Sequence, residues 1–185
     1  MNDNENKKSR IYKIIICALF TAIICALSLV SIPLMTVPFT LSVFAVLLTG
    51  ALLSPKYAAI SVLCYILIGA IGIPVFSGFR GGLGVLFGVT GGYIISYPFM
   101  ALAVAISVKL FKKRSLLSLS VGSITALIMC YVLGTLWFSR FTQQSFVNSL
   151  MVCVVPFVLF DLIKAALATF IALRLIKTPI GEKLI

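Results

Sequence analysis

Asp161 and Lys164 are the residues most able to do chemistry. They stand in VVPFVLFDLIKAALATFIAL, with no other charge between Arg140 and Arg174. Three residues apart on a helix, a carboxylate and an ammonium project from one face into one place. In an apolar segment each charge costs about 2.5–3.5 kcal/mol on insertion scales, so the pair requires partners, water or a polar cavity. An ion pair made only for packing is often no better than apolar residues of equal size. The pair therefore reads as a site for a small, partly charged ligand, with a neutralising pair that joins two helices as the alternative.

Arg80 is the second candidate. It sits in Ser77-Gly-Phe-Arg-Gly-Gly82, where flanking glycines let the backbone approach a ligand and the planar guanidinium matches a carboxylate. The alternative is an ordinary exposed loop arginine, and that is the better reading of Arg140 beside Thr142-Gln143-Gln144. Phe76, Phe79, Tyr93 and Trp137 are aromatic candidates for an apolar pocket. Membrane-interface belts collect Tyr and Trp for general reasons, and of the four only Tyr93, next to the glycine loop, stands above that background.

Other chemistry is excluded by what is missing. The chain has no histidine, and three of its four carboxylates, Asp3, Glu5 and Glu182, lie in the terminal tails. Acid–base catalysis, Ser–His or two-aspartate proteolysis and zinc chemistry lack their groups, so the chain reads as a binding protein, not an enzyme. Gly82-x-Gly84-x-x-x-Gly88 is off the spacing of a dinucleotide loop, and no Walker A sequence occurs. Any ATP hydrolysis belongs to another chain. The five cysteines, Cys17, Cys25, Cys64, Cys130 and Cys153, lie in apolar runs without CxxC spacing and read as small buried hydrophobes; neither a metal nor a cofactor is implied.

The elements that must position these residues are apolar helices. Of 185 residues 62% are hydrophobic and 10% charged, with a mean hydropathy of +1.22, far from the usual soluble balance of about 45–50% apolar and 25% charged. Apolar runs at Ile11–Ile32, Phe39–Leu53, Tyr57–Ile73, Tyr93–Phe111, Leu116–Phe138 and Leu150–Ile176 predict an all-α integral membrane protein, a bundle of six transmembrane helices. The second run is short for a hydrocarbon core of about 30 Å and is expected to tilt, insert part-way or borrow neighbouring turns. Pro156 kinks the last run or marks its true start. Ile32-Pro33, Val37-Pro38, Ser54-Pro55 and Ile73-Pro74 punctuate the runs. Pro74 to Gly92 holds seven glycines in nineteen residues yet stays apolar, which predicts a structured loop against the membrane or over the bundle.

The net charge of +11 is spread in short clusters at run edges, so membrane topology explains it better than nucleic acid. With the N-terminus inside, all 15 basic residues except Arg80, Arg140 and Lys164 fall on the inner side. Both termini are therefore expected to be cytoplasmic, with the glycine-rich loop between the third and fourth helices outside. The domains read as a polar tail over 1–10, a six-helix transmembrane unit over 11–177 and a short tail over 178–185. Ala18, Ala22 and Ala26 form a small-residue stripe on the first helix, suited to close approach by another helix, within the chain or in a partner subunit.

VPFTL (Val37–Leu41), LLTGALLSPKYAAISVLCYILIGAIGIPVF (Leu47–Phe76), SGFRGGLGVLFGVTGGY (Ser77–Tyr93) and PFVLFDLIKAALA (Pro156–Ala168) occur in that order. With these elements the chain resembles the BioY family, the biotin-specific substrate-binding (S) components of energy-coupling-factor (ECF) transporters. The resemblance implies a plasma-membrane protein that captures biotin at the outer face. It also implies a transmembrane coupling (T) subunit that meets the alanine stripe, and two cytosolic ATPase subunits. Biotin suits the residues: Asp161 can accept the ureido N–H groups, Lys164 can donate to the ureido oxygen or meet the carboxylate, and Arg80 can hold the carboxylate at the mouth. Ile94 stands where some relatives carry a basic residue, which leaves the division of roles between Arg80 and Lys164 open. An S component for another vitamin, a stand-alone secondary transporter and a purely structural subunit are the competing readings.

Overall fold

The helices of this chain are apolar on almost every side, because one face meets other helices while the other carries large exposed side chains such as Leu63, Ile128 and Leu136. The computed structural model of the chain describes residues 2–32 and 38–178, with side chains described from Ile11 onward. The breaks at Pro33 and Val37, the tail beyond Thr178 and the side chains of Lys7, Lys8 and Arg10 lie outside the described residues.

In chain order the elements are α1 (Asn2–Leu29), β1 (Ser31–Ile32), β2 (Phe39–Thr40), α2 (Ser42–Leu52), α3 (Pro55–Ala70), α4 (Leu83–Leu86), α5 (Gly91–Leu110), α6 (Leu116–Thr142), α7 (Phe146–Cys153) and α8 (Val158–Leu175). Among the described residues Ile11–Leu29, α5 and α6 are long and apolar enough to cross a membrane, and α7 with α8 makes a fourth candidate bent by 58°. The short helices α2 and α3 have 11 and 16 residues, so length and composition alone give three or four crossings where the sequence pattern predicts six.

Two runs differ from the sequence pattern. The run expected from Phe39 begins as a helix only at Ser42, because Phe39 and Thr40 pair antiparallel with Ile32 and Ser31. Nine of the eleven residues of α2 are buried, so this short helix is enclosed by its neighbours. The single last run is two helices: α7 ends at Cys153, and α8 starts after Pro156, whose missing N–H and ring cannot continue the first helix.

Close backbone approach replaces most of the packing that a water-soluble core would obtain from burial. A Cβ on Gly50 of α2 would lie 2.6 Å from the Ala101 carbonyl oxygen of α5, and one on Gly122 of α6 would lie 2.9 Å from Val104 Cα. Gly92 fits against Trp137, and Gly134 against the Tyr93 ring, which holds α5 and α6 together along much of their length. At the far end Arg114 Nη2 donates to the Leu52 carbonyl at 3.0 Å and so caps the C-terminus of α2 with a cation.

The glycine-rich segment is tied down by contacts to α3 and to the strand pair. Phe76 is buried edge-on against Tyr65 at 5.5 Å, its backbone pairs with Arg80, and Gly82 N–H donates to the Gly69 carbonyl at 2.7 Å. Gly78 N–H reaches Ser31 Oγ at 3.2 Å, which joins this segment to the β1–β2 hairpin.

Gly50→Val is expected to push α2 from α5 and lower the melting temperature of the detergent-solubilised protein by many degrees. Gly84→Ala, whose added Cβ meets nothing within 4 Å, is expected to leave it unchanged or slightly raised. Equal effects of the two would mean that the α2–α5 approach does not limit stability.

Candidate functional site

The break between α7 and α8 sets the site. Because α8 begins at Val158, Asp161 falls in its first turn, where the exposed N–H groups of the helix end favour a negative charge. Lys164 lies one turn further along the same face. Both are inside the protein, at 6% and 5% exposure, and Lys164 Nζ donates to Asp161 Oδ1 at 2.9 Å. Tyr131 of α6 donates its hydroxyl to Asp161 Oδ2 at 2.9 Å, so each carboxylate oxygen holds one hydrogen bond and keeps a lone pair free. The ammonium of Lys164 also stands 3.8 Å from the ring centre of Phe39, on the hairpin strand β2. Phe39 in turn packs edge-on against Phe160 at 5.3 Å. A charge pair removed from water is held by a neighbouring positive helix end, a phenol and an aromatic face.

These groups line one cavity of about 60 Å³, walled by Pro38, Phe39, Thr40 and Val43 on one side and by Tyr93, Tyr97, Tyr131 and Phe157 on the other. Its chemistry is that of an aromatic slot lined by one anion and one cation. It suits a flat, polar-edged ligand that offers both donors and acceptors. Among the described residues no cluster of three or more His, Cys, Asp or Glu could hold a metal ion.

Of the residues expected from the sequence, Asp161, Lys164 and Tyr93 meet in this cavity, with the Tyr93 hydroxyl 3.3 Å from Thr135 Oγ1. Phe76 is buried behind Tyr65 and does not line it. Phe79 is 70% exposed, and Arg80 is exposed with its Nε on the Ser77 carbonyl at 3.1 Å. Arg80 borders a separate crevice with Gly84, Thr90 and Phe141. Trp137 donates Nε1 to the Gly88 carbonyl at 2.9 Å and so anchors the glycine-rich segment to α6. Phe39 and Tyr131 are the contacts to the ion pair that sequence reasoning did not single out. Phe39 lies within VPFTL, whose first residue, Val37, is outside the described residues, whereas Tyr131 carries no local signal in a uniformly apolar run.

Ala18, Ala22 and Ala26 are exposed on α1, where they face an open apolar groove of about 700 Å³ closed on its other side by Tyr57, Ile60, Cys64 and Ile68 of α3.

A sequence model of the BioY family matches residues 2–179. A probable biotin transporter BioY of Pyrococcus horikoshii is 40% identical over 158 residues, covering 85% of this chain and 92% of that protein. The biotin transporter BioY of Thermotoga maritima is 39% identical over 168 residues, covering 91% and 98%. Among solved structures, the biotin S-component of an ECF-type ABC transporter superposes with a TM-score of 0.85 at 30% identity, over 98% of this chain and 97% of that one.

Removing one charge leaves its partner buried and alone, so Asp161→Asn and Lys164→Ala are each expected to lose about 3–5 kcal/mol of stability. Asp161→Asn combined with Lys164→Met is expected to recover most of that loss. Thermal denaturation in detergent checks it, and a double variant as unstable as the sum of the singles would show that the two charges do not support each other.

Proposed function

The chain belongs to the BioY family, and from that premise we propose that it captures biotin at the outer face of the plasma membrane as the S component of an ECF transporter. It is a multi-pass membrane protein and not an enzyme. In the proposed arrangement six segments cross the membrane: α1, α2, α3, α5, α6 and the bent pair α7–α8. Both termini are cytoplasmic, the glycine-rich segment is outside, and the transmembrane unit spans 11–177 between the tails 1–10 and 178–185. The distribution of basic residues supports that orientation.

One observation carries the reading of the site: the buried Asp161–Lys164 pair keeps hydrogen-bonding capacity directed into an aromatic cavity. The free lone pairs of Asp161 take the ureido N–H groups of biotin, and Lys164 donates to the ureido oxygen. Tyr93, Tyr97, Phe157 and Phe39 enclose the fused rings, while Tyr131 holds the carboxylate of Asp161 in place. Arg80 receives the valerate carboxylate at the mouth, with Phe76 and Phe79 shaping the segment that presents it. Sites for ligands of this size hold about 300–1,000 Å³, so a cavity of about 60 Å³ must widen to admit biotin.

The groove beside Ala18, Ala22 and Ala26 is the proposed contact for the T subunit, and two cytosolic ATPase subunits supply the hydrolysis this chain cannot perform. Liposomes holding the chain alone are expected not to accumulate biotin, and accumulation without ATPases would favour a secondary transporter.

Biotin and desthiobiotin, which share the ureido ring, are expected to raise the melting temperature of the purified protein, while thiamine and riboflavin leave it unchanged. A charged hydrogen bond contributes about 1.5–3 kcal/mol, so Asp161→Asn and Lys164→Ala are each expected to weaken biotin binding by about tenfold to a hundredfold. Unchanged affinity in both would sink this assignment. Biotinamide lacks the anion, so Arg80→Ala is expected to weaken biotin but not biotinamide. The same selective loss in the Lys164 variant instead would transfer the carboxylate to Lys164.

A further inference from the structure

A second groove, between α6 and α8, lies on a different face of α8 from Asp161 and encloses about 260 Å³. Its trough is made by Ala165 and Ala166, and three hydroxyls face it: Ser120, Ser123 and Thr169. Ser123 and Thr169 are 3% and 4% exposed. The hydroxyls of Thr21, Thr49 and Thr125 donate to the carbonyl four residues earlier, the usual way a helix satisfies such a group in an apolar setting. No hydrogen bond from the side chains of Ser120, Ser123 or Thr169 exists among the described residues. These hydroxyls are reached from the groove, so they are free to donate to acceptors supplied from outside the chain.

One end of the groove is lined by Leu116 in the first turn of α6 and Leu173 in the last turn of α8, and the residues around that end are cationic. The Arg174 guanidinium stands 5.2 Å over the ring of Phe170, itself part of the groove wall, and Lys112 and Lys113 are exposed on the turn that precedes α6. Asp161 is the only carboxylate among the described side chains, and it is committed to Lys164 and Tyr131. No described acid therefore neutralises this end. Moving inward, Ser120 and Ser123 lie four and seven residues past Leu116, about 6 and 10 Å at the helical rise. Cations at the mouth, hydroxyl donors a short way inside and a narrow apolar trough beyond them match, in order, an anionic phosphate, ester carbonyls and an acyl chain.

We propose that the α6–α8 groove is a binding site for one anionic glycerophospholipid, its phosphate against Arg174 and Lys112–Lys113, its ester oxygens on Ser120, Ser123 and Thr169, and one acyl chain along Ala165 and Ala166. The site is independent of the biotin cavity.

Native mass spectrometry of the full chain in detergent, titrated with dioleoylphosphatidylglycerol or dioleoylphosphatidylcholine, tests it. One phosphatidylglycerol is expected to be retained in preference to phosphatidylcholine, by about fivefold for each engaged cation. Arg174→Gln is expected to reduce that preference, and Ala166→Phe, which fills the trough from an exposed position, to abolish retention of both lipids. Melting profiles without lipid establish that each variant is folded; should Ala166→Phe unfold the chain, Arg174→Gln decides alone. Equal retention of the two lipids by the unaltered protein, or a preference that Arg174→Gln leaves intact, would overturn the proposal. Lipid-free dimers cross-linked through Ser120→Cys would also overturn it, by identifying a second copy as the occupant.

Discussion

A buried ion pair needs every one of its bonds, and in this molecule that requirement organises the elements around it. The Asp161–Lys164 pair is tolerable only where desolvation is offset by neighbours that act on each charge separately. The carboxylate has the N-terminal end of α8 and the Tyr131 hydroxyl; the ammonium has the carboxylate and the Phe39 ring. Three of these contributions depend on departures from a plain helix bundle. The break at Pro156 creates a helix end in the interior, the hairpin brings Phe39 over the cavity, and close packing of α5 on α6 brings Tyr93 and Tyr131 to one wall. An uninterrupted last helix would bury Asp161 mid-helix, away from the positive end of a helix dipole.

Lipid is as apolar as the protein interior, so burial of Leu or Ile distinguishes inside from outside only weakly. Shape does the sorting instead. Gly50, Gly92, Gly122 and Gly134 sit where a side chain would strike a neighbouring backbone or ring, and each brings two helices together along a unique line. Buried hydroxyls follow a parallel logic. Ser28 donates to the Ile24 carbonyl at 2.7 Å and accepts from Ser42 at 3.0 Å, which stitches α1 to α2, and Thr21 reaches the Ser61 carbonyl at 3.0 Å, which stitches α1 to α3.

How much of this could be read from the sequence follows the same division. The Asp161–Lys164 pairing was legible because charges in an apolar run cannot be accidental in energy, and a three-residue spacing has one geometric meaning. The long runs were legible for the same reason of scale. Partners from other elements were not. Tyr131 differs from its neighbours by one hydroxyl in a run that buries aromatics anyway, and Phe39 reaches Lys164 only because a two-residue strand pair turns it there, a feature too short to leave a periodic trace. Arg80 was legible only in part. Glycines around an arginine signal freedom to approach a ligand, but they also let the segment fold on itself, and the pairing of Phe76 with Arg80, which sets where the guanidinium stands, leaves no trace in the sequence pattern.

The position of the hairpin links the two most unequal surfaces of the molecule. The Asp161 cavity is small, whereas the α1–α3 groove is wide and apolar. β1 follows the end of α1, β2 precedes the start of α2, and β2 carries Phe39 at the cavity. Ser28 and Ser42 bind α1 to α2 just beyond the strands, and α1 is the helix that bears Ala18, Ala22 and Ala26. The Phe39 wall of the cavity and the exposed alanine face of α1 thus belong to neighbouring elements, joined by one short strand pair and one hydroxyl contact.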